Sequence, residues 1–316
     1  MTLDVGMVEA AADRIAPYVD RTPVLTSRSV DDATGQHVHL KGEHLQKSGS
    51  FKARGAHNKM LLLTEEERAR GVVAVSSGNH AAAVALAGRA LGVHVDVYMP
   101  ADAPAPKRRA TEAYGATIHF FDRVNDDRDE LLLRHVAEHE SVPVWPFDDY
   151  QVMAGQGTVA LELLDQVEID TLVVPMSGGG LMAGCATVAR ARRPHIRIVG
   201  VEPTAADDTR RSFAAGRRVT IAQPDTIADG LALRSPGALT FPINQRYVDE
   251  VVTVGETEIA AATLLLFQQA GQVVEPSGAT ALAAVLDGHI NGGHIGVVLS
   301  GGNVDPTTLT ELAAGH

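Results

Sequence analysis

Eight short apolar runs, at residues 39–42, 72–76, 95–99, 117–121, 171–175, 198–201, 250–254 and 295–299, punctuate this 316-residue chain. Between most of them lie stretches of helical pattern, at 80–91, 105–114, 129–139, 156–165, 181–192, 256–269 and 280–286. Short strands alternating with helices predict a parallel sheet covered by helices on both faces. Eight strands exceed one compact doubly wound unit, and ~150 residues per domain gives about two domains for this length. Residues 71–146 hold a self-contained βαβαβα set, bounded by Gly71 and by the loop-like Val142-Pro-Val-Trp-Pro-Phe-Asp-Asp149. The expected fold class is α/β with two doubly wound open-sheet domains. The smaller domain, 70–147, is inserted in a larger one built from 1–65 and 148–316. A site between them would lie at the carboxyl ends of strands.

Composition narrows the function classes. Aromatic residues make up only 4%, so aliphatic side chains must fill the core. The net charge of 27 − 39 = −12 argues against a nucleic-acid binder, which needs a basic face. A single cysteine, Cys185, cannot form an internal disulfide and suits a reducing compartment. The first ten residues carry acids and no basic-then-apolar run, so the expectation is a cytoplasmic protein without a signal peptide. Residues 171–189 carry no charge, a length that could span a bilayer. Pro175 and Gly178, Gly179, Gly180 and Gly184 interrupt them, which predicts a strand, a turn and a helix start instead.

Four constellations could carry chemistry. In the first, a strand runs into a polar turn and a helix opens near Phe51, which puts Lys52 at a helix start. The helix dipole there disfavours the ammonium, and an amine of lowered pKa is a nucleophile able to form a Schiff base. A solvated lysine in a capping segment is the alternative. In the second, Ser76, Ser77, Asn79 and His80 precede an alanine-rich helix, which reads as a carboxylate site or as plain N-capping. In the third, Ser177-Gly-Gly-Gly-Leu181 follows a strand. Three glycines let backbone wrap an anion closely, and a single phosphate fits better than a dinucleotide or triphosphate; a tight turn without ligand is the alternative. In the fourth, Ser300-Gly-Gly-Asn303 ends another strand and offers one neutral hydroxyl. His135-Val-Ala-Glu-His139 matches a metalloprotease order but lies in a charged helical stretch, where polar residues at i and i+4 are ordinary.

These pieces, in this order, resemble the serine/threonine dehydratase and serine racemase family of pyridoxal-phosphate enzymes, the fold-type II branch sharing the tryptophan synthase β-subunit fold. The likeness runs from Arg21-Thr-Pro-Val-Leu25 to Asp305, and Gly49-Ser-Phe-Lys-Ala-Arg-Gly55 is its most specific stretch. Ala154-Gly-Gln-Gly-Thr158, Val201-Glu-Pro203, Thr226-Ile-Ala-Asp-Gly230 and Val274-Glu-Pro-Ser-Gly278 lie between. The resemblance implies that Lys52 holds pyridoxal 5′-phosphate as a Schiff base and shuttles the α-proton. Phe51 and Asn79 would contact the pyridine ring, Ser177, Gly178, Gly179, Gly180 and Leu181 would cradle the phosphate, and Ser300 would face the ring nitrogen. Ser76, Ser77, Asn79 and His80 would bind the substrate carboxylate.

Several details resemble the racemase-like members. Ser77 would then face Lys52 across the cofactor as a second catalytic group, and Arg128 would approach a polar or acidic substrate side chain. Glu202, the Ala206 carbonyl and Asp208 would ligate a divalent cation, an all-oxygen set suited to Mg²⁺ or Ca²⁺. Two departures stand out: Ser177 replaces the first glycine of many relatives, where it could add a phosphate hydrogen bond, and Arg234 lies where relatives place a small polar residue. The leading expectation is a homodimeric ammonia-lyase that dehydrates L-serine or L-threonine to a 2-oxo acid and ammonia. The alternatives are a serine racemase with side elimination and, from Arg128 and Arg234, a 3-hydroxyaspartate dehydratase. Lys52 speaks against a non-catalytic binding relative.

Overall fold

A computed structural model describes residues 2–103, 105–122 and 125–314. Among the described residues ten strands form two sheets: β1 (Val24–Leu25), β2 (His37–Gly42), β3 (Val72–Val75), β4 (Val95–Pro100), β5 (Thr117–Phe121), β6 (Val142–Pro143), β7 (Thr171–Pro175), β8 (Arg197–Pro203), β9 (Glu250–Val254) and β10 (His294–Leu299). The larger sheet has the order β1-β2-β10-β7-β8-β9 and the smaller β5-β4-β3-β6. Every neighbouring pair is parallel except β1 with β2. This is the α/β class with two parallel sheets that the alternating pattern predicts, and the strands of the smaller sheet fall between β2 and β7 in the chain. The edge strands β1 and β6 escaped the sequence reading, because two residues show no periodicity and Pro143 suits only an edge.

The buried strands explain their own apolar runs. On β7, Leu172 and Val174 pack on one side of the large sheet with Met153, Leu163 and Ile198. Val173 points to the other side, against Val199, Leu282 and Val297. Side chains alternate with period two, so a sheet covered on both faces needs apolar residues at every position. The uncharged stretch at 171–189 is β7, a glycine turn and the helix Gly180–Arg192. No helix among the described residues is long and apolar enough to cross a membrane.

One buried polar cluster ties the large domain together. Arg54 is fully buried and pairs with Glu43 at 2.8 Å and Glu162 at 2.6 Å. Lys41, also fully buried, reaches Glu162 at 2.7 Å. Two positive and two negative side chains therefore balance, as buried charges must if they are to avoid a penalty of several kcal/mol per ion.

Candidate active site

A cleft opens where β3, β7 and β10 reach their carboxyl ends. Lys52 begins the helix Lys52–Leu61, directly after Phe51, whose N–H donates to the Ser300 carbonyl at 3.1 Å. That bond fixes the helix start to the end of β10. The Lys52 amine donates to the Pro146 carbonyl at 2.6 Å and lies 5.1 Å from the Phe51 ring centroid. Burial, aided by the positive charge of Arg128, lowers its pKa to about 8. The helix start suggests the same direction, and of burial and the Arg128 charge burial is the larger cause.

The second wall is the turn after β3. Ser76, Ser77, Asn79 and His80 all line the cleft with Lys52. The Ser76 hydroxyl accepts from the Gly78 N–H at 3.1 Å. Asn79 is held at both ends of its amide: it donates to Glu275 and accepts from Asn303 at 2.9 Å. The His80 Nε2–H donates to the Val144 carbonyl at 2.8 Å, which leaves Nδ1 buried without a partner among the described residues. Burial and the nearby Lys52 charge push the His80 pKa down to about 3, so the ring is neutral.

The third wall is the glycine turn, and its carbonyls are tied from behind. Gly178 O accepts from the Thr240 hydroxyl at 2.6 Å, Gly179 O from the Asn244 amide at 3.1 Å and Ser177 O from the Thr209 hydroxyl at 3.3 Å. The N–H groups of Ser177, Gly178 and Gly179 find no acceptor among the described residues. Amides with no acceptor at a helix N-terminus form an anion site. Side chains are excluded: a Cβ on Gly178 would come within 2.6 Å of the Phe147 ring, and Gly179 adopts φ +87°. The Ser177 hydroxyl donates to the Leu231 carbonyl at 3.1 Å, so its proton is committed away from any phosphate.

Arg128 opens the helix Arg128–His139 and lines both the central cleft and the cavity outside it. Leu181 and Ser300 line the cleft as well. Arg234 does not; it lines only the outer cavity, where its Nε donates to the Ile221 carbonyl at 3.1 Å. The sequence reading missed Lys107, Asp229 and Glu275. Lys107 extends from the smaller domain to Asp229 at 2.6 Å and Glu275 at 3.3 Å. Burial opposes its charge, yet the two carboxylates outweigh burial and raise its pKa. Asp229 and Glu275 stand in two of the quoted stretches, 226–230 and 274–278. His135 is buried against Asp96, 3.6 Å away, and not on a solvated face.

Glu202, Ala206 and Asp208 lie together outside the cleft, all buried. Glu202 accepts from the N–H groups of Thr209 at 3.2 Å and Arg210 at 2.9 Å. Neither oxygen of Asp208 has a hydrogen-bond partner on another of the described residues. Burial, with Asp208 nearby, pushes the Glu202 pKa up to about 8. Burial likewise raises Asp208 to about 7. Of the two acids only Asp208 has orphaned oxygens, and no group of three or more His, Cys, Asp or Glu side chains able to hold a metal ion occurs among the described residues; an all-oxygen set of two carboxylates and a carbonyl is the chemistry a hard divalent cation takes.

Residues 15–301 match the family described as pyridoxal-phosphate dependent enzyme. The chain is 43% identical over 313 residues to L-threo-3-hydroxyaspartate ammonia-lyase of Saccharomyces cerevisiae, covering 98% of this chain and 96% of the relative. Maize serine racemase superposes with a TM-score of 0.94 at 42% identity, over 100% of this chain and 98% of that one. The serine racemase of Dictyostelium discoideum gives 0.91 at 40% identity, over 96% and 100%.

Proposed function

The chain belongs to the family of pyridoxal-phosphate dependent enzymes, and on that footing we propose an ammonia-lyase that converts L-serine and L-threonine to a 2-oxo acid and ammonia. The observation that carries this reading is the Lys52 amine, with a pKa near 8, in one cleft with an open amide cradle and a carboxylate-sized polar loop. When bound, the pyridine ring supplies an electron sink for the charge left at the substrate Cα.

The chain's own groups have separable tasks. The amides of Ser177–Leu181 hold the phosphate, and Phe51 and Asn79 position the ring. Ser300, which lines the cleft, would offer the ring nitrogen a neutral hydroxyl, a partner that withdraws less electron density than a protonated ring nitrogen held by a carboxylate would. Lys52 Nζ removes the α-proton, for which an amine titrating near neutral pH is suited. Ser76, Ser77, Asn79 and the backbone N–H of His80, whose neutral ring has no proton left to donate, bind the substrate carboxylate, and Ser77 can return a proton on the face opposite Lys52. Glu202, Asp208 and the Ala206 carbonyl hold Mg²⁺ or Ca²⁺. We assign residues 1–65 and 148–316 to the cofactor domain and 70–147 to the small domain of a cytoplasmic homodimer. The resemblance supports the domains and the dimer, and the unpaired Cys185 suits a reducing compartment.

Arg128 favours a second substrate. It lines the central cleft, and a β-carboxylate on the substrate would meet its guanidinium, as in L-threo-3-hydroxyaspartate. Assays for pyruvate, 2-oxobutyrate and oxaloacetate, with and without Mg²⁺, test both readings. Chiral analysis of remaining serine tests racemisation. No 2-oxo acid from any of the three substrates would overturn the proposal.

A further inference from the structure

The helix Tyr150–Gln166 stands between the helix that carries Lys52 and the helix that follows the glycine cradle. Two glycines two residues apart make that position possible. Successive α-helical residues advance about 100°, so Gly155 and Gly157 face directions about 200° apart. A Cβ on Gly155 would come within 2.6 Å of the Arg54 carbonyl oxygen and the Gly55 Cα. One on Gly157 would come within 2.9 Å of the Gly184 carbonyl oxygen. The fit is reciprocal: a Cβ on Gly55 would strike Gln156, and one on Gly184 would strike the Met153 carbonyl. Three backbones therefore touch with no side chain between them.

Polar bonds fix the register of this contact. The Gly55 N–H donates to Gln156 Oε1 at 3.1 Å. The Thr158 hydroxyl donates to the Gly155 carbonyl at 2.7 Å and accepts from Arg54 at 3.1 Å. Arg54 stands two residues beyond Lys52. None of these residues lines the cleft.

We propose that residues 154–158 are a spacer that sets the separation of the Lys52 amine from the phosphate cradle, with Gly155 and Gly157 as positioning residues. The inference rests on the reading that amine and cradle hold the two ends of one rigid cofactor. A cofactor of fixed length tolerates little change in that separation.

The test uses stripped full-length protein and two measurements. Affinity for inorganic phosphate reports on the cradle alone. The rate at which added pyridoxal phosphate gains its visible lysine-linked band, trapped by borohydride at Lys52, reports on the separation. Gly155→Ala and Gly157→Ala should slow the capture on the order of a hundredfold while phosphate affinity stays at the wild-type level. Thr158→Val, a milder change that keeps the glycine contacts, should slow it several-fold, and it decides the question if the alanine variants do not fold. Wild-type capture rates in the folded variants would overturn the spacer, and so would equal losses of capture and phosphate affinity. If the wild-type protein itself is not trapped at Lys52, the fault lies with the functional reading and not with the spacer.

Discussion

Lys52 and Arg128 face one another's charge across the cleft, and that coupling has a sign. A neighbouring cation favours the neutral amine, and it is the neutral amine that attacks. In Arg128→Met, the pH midpoint of cofactor capture should rise above about 8, with slower capture at pH 7. Stopped-flow absorbance across pH measures it, and an unmoved or lowered midpoint would contradict the coupling. Ser77→Ala should suppress serine racemisation more than L-serine elimination, since only the first needs a proton donor opposite Lys52; chiral chromatography beside a pyruvate assay separates the two. Which residues gather at the cleft was largely legible from sequence, because each loop joins a strand end to a helix start and its chemistry is local. What was not legible is long-range. Lys107 finds Asp229 across 122 positions, and the Ser177 hydroxyl turns to Leu231 across 54. No spacing rule within a single loop could have given either partner.

At the level of elements, the glycine turn joins two constraints that one pair of variants separates. Gly179 needs a positive φ, and a Cβ there would also come within 3.1 Å of the Thr240 hydroxyl and strike the Asn244 amide. Gly216, a helix C-cap at φ +64°, has open space around it. Gly216→Ala should cost about 1–2 kcal/mol of stability, the left-handed penalty alone, with cofactor affinity unchanged. Gly179→Ala should cost more and weaken cofactor binding, because the Thr240 and Asn244 bonds that orient the cradle must shift. Urea unfolding and equilibrium dialysis read the two quantities, and equal effects from the two variants would count against a close-packed cradle. The elements themselves were well placed by the sequence wherever strands are buried on both sides, since continuous apolar runs leave little ambiguity. β1 and β6 were invisible for the opposite reason: as two-residue edges they are defined by their neighbours.

For the whole molecule, the carboxylates at 202 and 208 predict a dependence on divalent cations. A chelator should lower the melting temperature, and Mg²⁺ or Ca²⁺ at about 100 times its dissociation constant should restore about 2.7 kcal/mol. Asp208→Asn should abolish the response in calorimetry; a variant that still responds would place the ion elsewhere. The Arg54–Glu162 pair has a consequence of another kind. Its partners are separated by 108 positions, and the strands of the smaller sheet are made in the interval. At ~5–20 residues per second, a ribosome takes about 5–20 s to supply the acid after the guanidinium. Until then Lys41 and Arg54 have only Glu43 between them, one positive charge too many to be interred, while residues 72–143 already possess a complete sheet. Translation should therefore deliver the middle of the chain as the first folded piece. Nascent chains arrested near residue 150 should show a protease-resistant core from that middle and a digestible beginning.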